Sequence, residues 1–409
     1  MSRLGGRWRN ALVAILLVLG SVTLALAAVE GALRLFFSGH SPLFLDIYRL
    51  DEQGLLGLRP GITRRQVTPH WDVTIAINQD GLRDRSEPAV DGKGRIVAVG
   101  DSMQFGWGVE LPQTYLYIVE EGLSSDSVRV VKAGMPGVGT SDEAQWLQAH
   151  GDQYSPRMVI VSFFVGNDFV DCQMGGVLKQ FTVRDGLMVK RPLDKDDYSR
   201  LRETTEWIKR TSLLAQQGAQ LVWILERSFT SAKNRNVPGL TAQNRWLWEF
   251  FKIHLRDLPP ETKQGIELAQ QALDEIHAWA QRRNIPMLLL VIPRSFQIFE
   301  WDLRKWRDAY RLTNEQLDLD RPQRVLRDWA SAHSVSTLDL LPGFREYHRT
   351  HPDELLYYHP DSHLNANGHR VAAILLLEHL RRHHGFVAAG AIRQPVGNRD
   401  RLEASGQRP

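Results

Sequence analysis

The first hydrophobic pattern along the chain is an unbroken one. Ala11 to Val29 runs 19 residues without a charge, about what a helix needs to cross a bilayer core. VEGALRLFF continues the run with helical spacing. Arg3, Arg7 and Arg9 precede it while only Arg34 follows closely, so the amino end should stay cytoplasmic and the bulk be exported. Ala25-Leu26-Ala27 has the A-x-A form that signal peptidase cuts. The run is longer than a usual signal core, which favours a retained single-pass anchor over a cleaved signal.

Beyond it, LGLRPGITRRQV and WDVTIAINQDGLRD predict short strands with turns at Pro60-Gly61 and Asp80-Gly81. From Arg95 the pattern changes scale. RIVAVG, VRVVKAG and PRMVIVSFFVGND read as buried strands, separated by the helical stretches QTYLYIVEEGLSS and TSDEAQWLQAHG. Such alternation implies βαβ units and a parallel sheet. GIELAQQALDEIHAWAQRRN is a further helix, and the run from Pro286 to Pro293 is a fourth strand. RPQRVLRDWASAH and VSTLDL repeat the unit, and HPDSHLNANGHRVAAILLLEHLRRHHG is a loop entering a closing helix. Between Cys172 and about Thr262 the alternation is interrupted by a stretch read as helical and rich in Trp, Arg and Lys. It is expected to cap the site or to pack as a separate module. The predicted division is 1–37 anchor or signal, 38–92 strands and linker, 93–385 one α/β domain with a helical insertion at about 173–262, and 386–409 a disordered tail.

Composition narrows the class. The 409 residues carry 50 basic and 47 acidic side chains, a net charge of +3, which argues against a nucleic-acid binder. A lone cysteine, Cys172, excludes an intrachain disulfide and any CxxC metal site.

Candidate chemistry sits at the strand ends: GDS at 100–102, AGMPGVG at 133–139, VGND at 165–168 and PDSHLNANGH at 360–369. Alone, each is a common turn or loop. Together, in this order, they resemble the SGNH family of GDSL-type hydrolases over about Arg95 to Gly385, with Ser102, Gly137, Asn167 and His363 at the positions that name the family. The resemblance implies a three-layer α/β/α, flavodoxin-like domain. The chemistry of the residues agrees. Ser102 needs a base to become a nucleophile, and His363 is the candidate. Asp361, two residues away, would face the same way in an extended loop and fix the imidazole tautomer. The Ser102 and Gly137 backbone N–H groups and the Asn167 amide would supply an oxyanion hole, where a side chain at residue 137 would obstruct the oxygen.

Two positions depart from the family pattern. Pro360 stands where the acid is commoner, and the D-x-H spacing resembles the membrane-anchored bacterial branch with alginate O-acetyltransferase-like proteins. Lys132 stands where asparagine is common. Plainer readings accompany the rest. Asp101 and Asp168 suit caps, and Trp246, Trp248, Phe250 and Phe251 suit a helical core face more than a sugar-stacking surface. His369 suits packing at the start of the last helix, and RRHH at 381–384 a basic helix end. A metal cluster of His359, Asp361, His363 and His369 is the alternative to a triad, but it leaves GDS and GND unexplained.

The leading expectation is an extracytoplasmic serine esterase or O-acyltransferase of the bacterial inner membrane, its catalytic domain periplasmic. It would act on acylated carbohydrate or another small ester through an acyl-enzyme, with no metal or organic cofactor. The alternatives are an idle scaffold in envelope polysaccharide assembly and a lipid esterase.

Overall fold

The computed structural model describes residues 2–36, 45–68, 70–85, 94–123, 128–190, 248–359 and 361–385, with 208, 212–215 and 218. Trp246, Pro360, most of the expected insertion and the tail 386–409 lie outside the described residues. The chain divides into two compact units, Met1–Gly81 with Leu178–Asn244 and Leu82–Val177 with Arg245–Pro409.

In the first unit, Ser2–Phe36 is one helix. Its Val13–Leu35 part is long and apolar enough to cross a membrane. Leu24 is 75% exposed, and a helix apolar on every side belongs in a core or a bilayer. The two polar side chains between Ala11 and Val29, Ser21 and Thr23, bond back to the Leu17 and Leu19 carbonyls at 2.8 Å each. That satisfies them without water. Antiparallel hairpins follow: β1 (Tyr48–Leu50) with β2 (Leu56–Leu58), and β3 (Thr63–Val67) with β4 (Asp72–Ala76).

The stretch after Cys172 differs from the helical expectation. β8 (Phe181–Arg184) and β9 (Leu187–Lys190) form a hairpin around Asp185 and Gly186, at φ 53° and 83°. Two central residues with positive φ make a turn whose twist suits paired strands, and Asp-Gly is its usual sequence. The Tyr48 N–H donates to the Gly186 carbonyl at 2.8 Å, tying this hairpin to β1.

The second unit is built on β5 (Gly94–Gly100), β6 (Val128–Gly134), β7 (Met158–Phe164), β10 (Met287–Ile292) and β11 (Ser336–Asp339). They form one parallel sheet in the order β11-β10-β7-β5-β6. Its central strands are apolar throughout because both faces are covered. Ile96, Ala98, Ile160 and Leu290 pack beneath Tyr115–Gly122 and Ala366–His384. Val97, Val99, Val161 and Leu289 pack beneath Thr140–His150, Pro260–Arg282 and Arg321–Ala332. Each of the buried Val, Ile and Leu side chains contributes about 1.5–3 kcal/mol. The result is a three-layer α/β/α fold of flavodoxin-like strand order. Helices Glu300–Tyr310 and Leu341–Thr350 add to the elements legible in the pattern. The order reverses at β5, between β6 and β7, and open α/β sheets bind ligands outside the carboxyl ends at such a switch point.

Candidate active site

Three loops leave adjacent strand ends at that point. After β5, Asp101 caps the short helix Ser102–Phe105, its Oδ1 accepting the Met103 N–H at 2.8 Å. Gly106 closes the helix at φ 80°. Ser102 therefore opens a helical turn whose first N–H groups have no intrahelical acceptor. Beneath it, Gln104 donates to the Ala98 carbonyl and accepts from Ser162, both at 2.8 Å, and Ser162 in turn accepts from Tyr115. A Cβ on Gly100 would lie 2.8 Å from Gln104, so the strand end must be glycine. Buried Arg83 donates to the Phe105, Gly106 and Val109 carbonyls at 3.0, 2.6 and 2.6 Å. It holds the loop after Ser102 in place.

The histidine arrives on the loop before the last helix. Tyr357 donates to the Pro293 carbonyl at 2.5 Å, and Tyr358 to the Gly108 carbonyl at 2.8 Å. His363 Nε2 then lies 2.8 Å from Ser102 Oγ, and its Nδ1 bonds Asp361 Oδ1. The route to that pair differs from the extended loop expected. Ser362 has φ 72°, and Asp361 Oδ1 also accepts the His363 backbone N–H at 3.3 Å. The aspartate curls onto its own backbone and meets the imidazole across a tight turn. Holding a non-glycine residue in the left-handed region costs about 1–2 kcal/mol. Trp107, half-buried, sets its ring 6.3 Å from that of His363.

Burial opposes charge on His363, but the Asp361 charge and hydrogen bond, with the Asp101 charge, outweigh it. The imidazole pKa is raised, while Arg294 pushes it the other way. Desolvation lifts Asp101 to about 6, against the Met103 N–H, His363 and Asn167. Nearby Glu143 and Asp168 are driven well above the ordinary range by burial and then by the charge of Asp101 and other neighbouring carboxyls, and Asp171 to about 8, chiefly by burial. This side of the site is a set of buried carboxyls.

Gly137 follows β6 at φ 87°, a conformation in which glycine is the unstrained choice. Asn167 follows β7. Its Nδ2 donates to Asp171 Oδ2 at 2.7 Å, and the amide also faces Asp101. Ser102, Gly137 and Asn167 thus occupy loops on neighbouring strands, with Asn167 fixed by carboxyls. Asp168 Oδ2 accepts the Phe164 N–H at 2.8 Å, a structural role, as is the cap at Asp101.

Of the four residues of the metal alternative, Asp361 and His363 bond each other, while the two outer histidines have other partners. His359 Nε2 meets Lys305 at 3.0 Å, and His369 is buried against Tyr115, accepting its N–H at 3.2 Å. Phe251 lies in a core cluster with Phe296 and Leu303, and Trp248 packs against it. Lys132 is buried on β6, its ammonium donating to Asp84 at 2.9 Å and to Glu120. Sequence reading passed over Arg83, Arg294 and Tyr358. An isolated arginine in a loop carries no period, and only the fold shows it buried.

No family profile and no curated protein matches the chain. Solved structures that it resembles include an acetyl xylan esterase, AlAXEase, at 13% identity, 69% of this chain, 98% of that chain and a TM-score of 0.38. A lipase/acylhydrolase from Enterococcus faecalis has 13% identity, 73% and 100% coverage and a TM-score of 0.36. LAE5, an alpha/beta hydrolase enzyme from the metagenome of Lake Arreo, has 16% identity, 70% and 94% coverage and a TM-score of 0.37. The functional conclusion rests on the site's own geometry.

Proposed function

We propose that the chain is a serine enzyme of ester chemistry, an esterase or O-acyltransferase of the SGNH type. The observation that carries this is the continuous relay from Ser102 Oγ through His363 to Asp361 at the sheet's switch point. As Ser102 Oγ bonds to the ester carbonyl carbon, its proton passes to His363 Nε2, and Asp361 steadies the imidazolium. The tetrahedral oxyanion takes the backbone N–H groups of Ser102 and Gly137, and Asn167 becomes the third donor when its amide turns from one of its carboxyl partners. Collapse breaks the bond to the alcohol, which leaves with the proton from His363. Water or a sugar hydroxyl then attacks the acyl-Ser102 carbonyl, gives its proton to His363, and frees the serine. Nothing in this cycle needs a metal or organic cofactor.

The amino-terminal helix would hold the domain at the outer face of the inner membrane, where acylated envelope carbohydrate is the available ester. Trp107 beside His363 offers an aromatic face for a sugar ring.

A fluorophosphonate probe tests the nucleophile directly on the full chain in detergent. Labelling should occur in the wild type and vanish in Ser102→Ala; labelling that survives places the nucleophile elsewhere. p-Nitrophenyl acetate, p-nitrophenyl palmitate and acetylated xylo-oligosaccharide, assayed side by side, then separate short-acyl, lipid and glycan specificity. Absence of labelling and turnover together would favour the scaffold alternative.

A further inference from the structure

Arg294 is a buried cation that forms no ion pair with a carboxylate among the described residues. It follows β10 at the carboxyl edge of the sheet and is 8% exposed. Among the described residues no carboxylate lies within 4 Å of it, and its Nε is buried without a hydrogen-bond partner. The guanidinium instead stands among Phe250, Phe296 and Trp306, 6.0, 5.7 and 5.4 Å from their ring centres. Among the described residues, its guanidinium bonds from Nη1 to the Gly166 carbonyl at 2.7 Å. Asp302, the acid that attracts it, is engaged by the Ser295 hydroxyl at 2.5 Å.

A buried, unpaired charge costs several kcal/mol, and rings recover only part of that. Two features show where the positive charge acts. Gly166 is the residue before Asn167, so the guanidinium grips the peptide that presents the third oxyanion donor. It also lies close enough to His363 to repel a proton there.

We propose that Arg294 is a positioning residue for the esterase centre, fixing the Gly166–Asn167 peptide and lending the site a positive potential complementary to the tetrahedral oxyanion. This rests on the serine-enzyme reading above. Asp302 attracts Arg294 throughout, whereas the oxyanion forms only during the reaction, which is when an electrostatic contribution lowers a barrier. The same potential works against the rise in the His363 pKa that Asp361 and Asp101 produce, so the imidazole becomes a free base at a lower pH than it would without Arg294. His363 is faced by Asp361 on its own loop, Asp101 after β5, Arg294 after β10 and His369 on the closing helix. The first two favour its protonation, Arg294 opposes it, and His369, its pKa lowered to about 3 chiefly by burial, stays neutral.

Three variants of the full chain separate charge from packing. Arg294→Lys keeps the charge, Arg294→Gln keeps a donor for the Gly166 carbonyl, and Arg294→Met keeps neither. With p-nitrophenyl acetate, Arg294→Met should lose roughly 10–100-fold in kcat at nearly constant KM, within the range for removing one preorganised electrostatic contact. The acid limb of its kcat/KM profile should move to higher pH, because the repulsion on His363 is gone. Arg294→Lys should restore the limb, and Arg294→Gln should shift it like Met while losing less kcat. The His363 pKa measured by NMR should follow the same order, a readout that does not depend on turnover. Should Arg294→Met fail to fold, the Lys and Gln variants decide alone. An active wild type whose neutral variants keep both kcat and the acid limb overturns the proposal, as does a kcat loss with an unmoved limb. A wild type that neither labels nor turns over, yet shows the NMR shift, overturns the esterase reading while leaving the charge coupling in place.

Discussion

Ser102 and His363 are 261 positions apart in the chain, yet their Oγ and Nε2 atoms lie 2.8 Å apart. The distance makes activity depend on one protonation state, because only neutral His363 can take the serine proton. Its pKa is raised above the ordinary 6.5, so kcat/KM should climb with pH through a midpoint above that value. For stability the sign is opposite. A group whose pKa rises on folding contributes fully below its unfolded value and loses that contribution as pH climbs through the folded one. A rate profile with its acid limb at or below 6.5 contradicts the pairing with Asp361.

Chelation offers an independent check on the same loop. His359 and His369 are committed to Lys305 and Tyr115, leaving His363 to Ser102 and Asp361. Ester turnover should be unchanged after dialysis against EDTA. Loss that zinc or manganese restores would return the histidines to the metal reading.

Much of this was legible beforehand, for definite reasons. The sheet is written as apolar runs because its strands are buried on both faces, and Ser102, Asn167 and His363 follow such runs or precede a periodic helix. Ser362 and Arg294 were not legible. A left-handed serine is imposed by the hydrogen bonds of its loop, and a buried arginine looks like a surface one until the rings around it are placed. The β8–β9 hairpin had a local signal, Asp185-Gly186, outweighed by the helical appearance of the residues after it.

Lys132 is a stability element. It is 4% exposed and shares Asp84 and Glu120 with Arg129. Removing one member of a buried ionic group strands the others, at about 3–5 kcal/mol. Urea unfolding of Lys132→Ala should show a loss of that order, with labelling of Ser102 intact in the folded fraction. A loss under 1 kcal/mol would mean that Arg129 alone satisfies both acids.

The amino-terminal helix makes a prediction about the whole chain. With Val13–Leu35 apolar and exposed, the full protein should sediment with membranes and resist carbonate extraction. Protease should reach its catalytic domain from outside the cytoplasm. A mature chain beginning at Ala28 would show instead that the run is cleaved.

The most discriminating variants concern the acid. Asp361 bonds His363 Nδ1 across the Ser362 turn, whereas Asp353 is exposed before the loop. Asp361→Asn preserves shape but removes the charge that steadies the imidazolium and holds its tautomer. By the triad template it should lower kcat by about 10⁴, less if esters demand less of the base than amides do. It should also move the acid limb downward, since Asp361 is the main group raising the His363 pKa. Asp353→Asn should change neither quantity more than about twofold, as expected for a surface substitution away from such features. A severe effect at Asp353 with a mild one at Asp361 would reassign the orienting acid. Mild effects at both, with Ser102 still labelled, would mean that a Ser-His dyad suffices.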